Sequence, residues 1–125
     1  AADRHHARLR RAFEEDPRRW VLPWAVLPEV DCFVPARLGR AVAEAFRQDV
    51  VDGLFTVEWG ARADLARAME LDRLHADLDL GLVDAVVMAV AERLGARAIA
   101  TLDLRDFAPV ELRGAPELWP RDLGG

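Results

Sequence analysis

The chain has 125 residues, 52% hydrophobic and 31% charged, with a formal net charge of −5 at neutral pH, the size and balance of one globular domain with its own core. Cys32 is the only cysteine and none of the 17 basic residues is a lysine, which excludes an intrachain disulfide, a four-cysteine zinc centre, a P-loop and Schiff-base chemistry. The apolar run from Val83 to Ala91 is broken by Asp84 and falls far short of the roughly 20 residues that cross a bilayer. Charges also stand where a secretory signal has its apolar stretch, so the expectation is a cytoplasmic protein without membrane contact.

In chain order, Asp3 is placed to cap a helix running to about Glu15, with Leu9, Ala12 and Phe13 on one face. Asp16-Pro17 stops it, and Trp20 to Leu22 reads as a short buried strand. Pro28 suits the first turn of a second helix that carries Val30, Phe33, Val34 and Leu38 and kinks or ends at Pro35. Gly39 to about Val51 predicts a third helix, with Val42, Ala43, Phe46 and Val50 inward. Leu54 to Trp59 alternates like a strand, and Ala61 to about His75 returns to helical spacing through Leu65, Ala68, Met69 and Leu71. After a loop at Asp77 to Gly81, Val83 to Leu94 is apolar almost all round, which predicts the most buried helix, capped by Gly95. Arg97 to Thr101 is the next strand, and Val110 to Arg113 is an edge strand before a tail containing Pro and Gly. Strands alternating with helices in this way imply an α/β domain over residues 1–125, with a parallel sheet of short strands flanked by helices.

Ligands of open α/β sheets bind beyond the carboxyl ends of the strands, and the residues expected there are mostly acids. Glu29 follows strand 20–22, Asp103 follows strand 97–101 with Thr101 at its end and Asp106 just beyond, and Asp84 opens the most buried helix. Taken singly, a carboxylate in a first helical turn is often a cap or a partner of the helix dipole. Converging carboxylates repel, and a hard cation such as Mg²⁺ or Mn²⁺ is the usual remedy, giving a pocket suited to phosphodiester hydrolysis. Against nucleic-acid binding stands the net negative charge. Arg4, Arg8, Arg10, Arg11, Arg18 and Arg19 enrich the first segment in positive charge, although a solvated helix face explains them equally well.

The segments Leu80-Gly81-Leu82-Val83-Asp84-Ala85, Ala91-Glu92-Arg93-Leu94-Gly95-Ala96 and Thr101-Leu102-Asp103-Leu104-Arg105-Asp106-Phe107 resemble the C-terminal half of PIN-domain ribonucleases of the VapC toxin type. Upstream, Leu27-Pro28-Glu29-Val30 resembles that family's glutamate-bearing helix start, and Arg4-His5-His6-Ala7 the segment after its first strand and helix. The resemblance implies a metal-dependent RNA endonuclease of a toxin–antitoxin pair, with Mg²⁺ or Mn²⁺ as cofactor, RNA as substrate, a cognate antitoxin as partner and a homodimer as assembly. It implies Glu29, Asp84 and Asp103 as catalytic metal ligands, with Thr101, Asp106 and Asp79 supporting. The family also has a central first strand ending in an aspartate, which nothing before Ala1 supplies, so the 125 residues by themselves are expected to be weakly active or inactive. The alternative is a catalytically degenerate relative that binds an antitoxin without enzymatic activity. A phosphoacceptor receiver domain also gathers acids at strand ends but normally uses a lysine.

Of the remaining candidates, His5 and His6 project about 100° apart on a helix and do not make a metal site. Cys32 reads as a small buried hydrophobe, and Trp20, Trp24, Trp59 and Trp119 as core or interface packing.

Overall fold

A computed structural model describes residues 2–124, with side chains from residue 7 onward. The expected Asp3 cap and the surface placement of His5 and His6 concern side chains outside the described residues. Among the described residues, six helices and four short strands follow in the order α1 (Ala2–Glu15), β1 (Val21–Pro23), α2 (Leu27–Leu38), α3 (Arg40–Val51), β2 (Thr56–Glu58), α4 (Arg62–Leu74), α5 (Leu82–Leu94), β3 (Ala98–Ala100), α6 (Leu104–Phe107) and β4 (Glu117–Trp119). Single 3₁₀ turns at Pro17–Arg19, Trp24–Val26 and Ala76–Leu78 link them.

The breaks follow backbone chemistry. Pro35 does not end α2, which runs on to Gly39; there φ is 90° and the glycine N–H bonds the Pro35 carbonyl at 3.1 Å. Gly95, at φ 63°, closes α5. All strand pairing is parallel, Val21 opposite Thr56 in one pair and Ala98 opposite Glu117 in the other. The α/β class therefore holds, but the strands form two separate pairs, and among the described residues neither β1 nor β3 has a second strand neighbour.

The last strand is not at Val110 to Arg113. That segment bends through Gly114 and Ala115, both at positive φ, and the Arg113 N–H goes to the Glu92 carboxylate at 2.9 Å instead of to a strand. Glu117–Trp119 pairs in its place, its register held by Glu117 N–H to Arg97 carbonyl and Thr101 N–H to Trp119 carbonyl, each 2.9 Å.

Helix α5 buries Ala85, Val86, Met88, Ala89, Val90 and Ala91, as its nearly all-round apolar sequence predicts. Its principal partner is α4, which turns Asp64, Ala68 and Leu71 inward at i, i+4, i+7 and leaves the expected core residues Leu65 and Met69 about half exposed. Met88 and Leu71 join Ile99, Phe107, Val110 and Leu118 in the core. Between them α2 and α3 bury only Ala43, so Val42 is exposed and Cys32, expected inside, lies on the surface. Trp24 and Trp59 are also exposed, whereas Trp20 and Trp119 are half-buried with ring centroids 6.0 Å apart.

Candidate metal centre

Gly81, at φ 80°, turns the chain into α5, and its carbonyl accepts the Ala85 N–H. Leu80, buried just before it, and Ala85, buried just after Asp84, anchor the turn on both sides. Asp84 is thereby held in the first turn of α5, half-buried.

On the other side the chain leaves β3 through Thr101, whose hydroxyl accepts the Asp103 N–H at 3.0 Å. Asp103 in turn caps α6, its Oδ1 accepting the Asp106 N–H at 3.2 Å. Buried Phe107 pins this one-turn helix to the core.

Carboxylate oxygens of Asp84, Asp103 and Asp106 consequently lie within 4.8 Å of one another. Two opposing influences act on Asp84. The start of a helix stabilises a negative charge, whereas burial, a carboxyl–carboxyl hydrogen bond with Asp106 and the charges of Asp106, Asp103 and Glu29 oppose it. The second set prevails and pushes Asp84 up to about 6. A cation relieves that repulsion, and the all-oxygen donor set fits a hard ion of the Mg²⁺ or Mn²⁺ kind.

Residues 1–111 match the PIN domain family. The chain belongs to that family. It is also 26% identical over 108 residues to Ribonuclease VapC26 of Mycobacterium tuberculosis, an alignment covering 86% of this chain and 80% of that protein. All three clustered aspartates of this PIN domain fall inside the family match, and β4 lies beyond it.

Of the residues singled out in the sequence, Asp84 and Asp103 come together, and Asp106, expected further out, is in the cluster with them. Its signal was the spacing Asp103-x-x-Asp106, which joins an N-cap to the third residue of the turn. Glu29, exposed in the first turn of α2, is outside this group and reaches Asp84 through its charge. Thr101 acts on the backbone of Asp103. Asp79, exposed and left-handed at φ 52°, ends a 3₁₀ turn and is also outside the group. A second polar centre had no signal in the sequence: buried Asp64 receives two hydrogen bonds from Arg93, at 2.7 and 3.0 Å, and Arg93 also holds Glu58.

Proposed function

We propose that this PIN domain is a metal-dependent endoribonuclease, the toxin of a type II toxin–antitoxin pair, acting in the cytoplasm on RNA phosphodiester bonds. The observation that carries this reading is the packing of three carboxylates so closely that Asp84 is pushed up to about 6. Membership of the PIN family and the likeness to Ribonuclease VapC26 support RNA as the substrate and an antitoxin as the partner. No described helix is long and apolar enough to cross a membrane.

Asp84, Asp103 and Asp106 would hold Mg²⁺ or Mn²⁺, with Glu29 adding charge or a water-mediated contact. When bound, the cation supplies Lewis-acid polarisation of the phosphoryl group and acidifies water for attack. The protein's own residues fix the geometry. Thr101 and the Asp106 N–H together orient Asp103, and the first turn of α5 orients Asp84. In the net reaction water adds to phosphorus, the bond to the leaving ribose oxygen breaks, and that oxygen gains a proton.

The test is Mn²⁺-dependent cleavage of single-stranded RNA, with Asp84→Asn as control. Asp84→Asn should lower Mn²⁺ affinity at least about tenfold and abolish cleavage; cleavage that persists in this variant, or without metal, overturns the reading. The split between the two strand pairs favours a second reading, a degenerate PIN domain that binds an antitoxin without cleaving RNA. Antitoxin capture by a chain that binds no Mn²⁺ would establish it.

A further inference from the structure

We infer that Arg105 is the residue that seats an RNA phosphate beside the acidic cluster, a substrate-binding role that rests on the function proposed above. The charge pattern poses the problem. A protein of net charge −5 with three converging aspartates must still attract a polyanion, and in a chain without lysine every permanently cationic contact to phosphate is an arginine.

Arg105 lies on α6, adjacent to Asp106 and two residues from Asp103. Consecutive Cα atoms are 3.8 Å apart, so the Arg105 backbone lies in the same single turn as both acids, within reach of a long side chain. It is exposed, and no ion pair among the described residues engages it. Arg10, which lines the cleft beside Ala100 at the end of β3, is already tied to Glu14 at 3.2 Å. Arg93 and Arg67 are likewise committed to carboxylates that fasten α4 to α5. Next to the cluster, Arg105 thus remains available to grip a phosphate in a bidentate manner. An arginine in the last turn of α6 can also act simply on the helix dipole; that role would show in stability and not in RNA affinity.

The experiment uses the full 125-residue chain with Mn²⁺ and a fluorescent, fully 2′-O-methylated single-stranded oligonucleotide, read by anisotropy over a salt series. Arg105→Ala should weaken binding about fivefold and make the log–log salt slope shallower by about 0.7, the value for one phosphate contact on a single strand. Arg105→Lys should keep the slope and lose part of the affinity. Arg40→Ala, an equal loss of charge on α3, should change neither. Mn²⁺ affinity, measured by electron paramagnetic resonance, should be unchanged or higher in Arg105→Ala, because a neighbouring positive charge has gone. Wild-type chain that binds no RNA with Mn²⁺ present overturns the proposed function and this inference together. Wild-type binding with Arg105→Ala indistinguishable from Arg40→Ala overturns this inference alone, as does a parallel loss of RNA and Mn²⁺ binding.

Discussion

Asp84 concentrates the electrostatics of the cluster in one carboxyl. Because it is pushed from 3.8 up to about 6, it keeps a proton below that pH, and a cation must displace the proton to bind. Mn²⁺ affinity is therefore expected to rise with pH up to about 6 and level off above it, falling about tenfold per unit on the acid side. Calorimetric titrations between pH 5 and 8 check this, and a flat profile would refute it. Stability in the absence of metal has the opposite dependence. The folded protein binds this proton more tightly than the unfolded chain does, so the contribution is present below 3.8 and is lost as pH rises to about 6. Added Mn²⁺ should raise the melting temperature more at pH 7 than at pH 5.

At the scale of elements, α4 and α5 form the most heavily packed pair, and two arginines fasten its edges. Asp64 is 5% exposed, and Arg93 supplies its two guanidinium hydrogen bonds. Removing one partner of a buried pair leaves an uncompensated charge, costing about 3–5 kcal/mol when both groups are buried. The Arg93 side chain is 35% exposed, so Arg93→Ala is expected to cost about 2 kcal/mol after solvent screening. Urea unfolding measures it, and a cost below about 0.5 kcal/mol would show the pair to be surface-like. Metal affinity should be unaffected, because Arg93 is in the last turn of α5 and Asp84 in the first.

For the molecule as a whole, the decisive feature is the division into two strand pairs. An unpaired strand edge exposes backbone N–H and C=O groups that readily accept another strand. An apolar cleft of about 490 Å³, lined by Leu9, Arg10, Phe13, Trp20 and Ala100, adjoins the end of β3. The exposed apolar side chains of α2 and its approach, Trp24, Phe33 and Leu38, motivate a further expectation, a homodimer. Light scattering that returns a monomer at high protein concentration would count against it.

Read along the chain, much of this organisation was visible, because helix starts, glycine stops and apolar periodicity are local properties. Helix α5 and its Gly95 cap are where the pattern places them, as is the Asp103 turn. Where helical periodicity admitted more than one inner face, the sequence misled: Leu65 and Met69 share the apolar pattern of α4, yet packing against α5 selected the face of Asp64, Ala68 and Leu71. The α2–α3 pair departs from its apolar pattern for a related reason. Its apolar residues imply a core side, but that side packs on little besides its own partner helix, so Cys32 and Val42 remain at the surface.

By itself, then, the sequence determined the types of element, the absence of lysine and disulfide chemistry, and the acids that follow β1 and β3 and open α5, all of which depend on composition and near neighbours. Only the tertiary structure decided that Asp106 stands with Asp84 and Asp103, that Arg93 is matched to Asp64 from 29 residues away, and that Glu117–Trp119 takes the strand position beside β3. Each depends on distances between segments remote in the chain, and those are set when the helices pack, because a carboxylate's charge and a strand's unpaired edge act through space and not along the backbone.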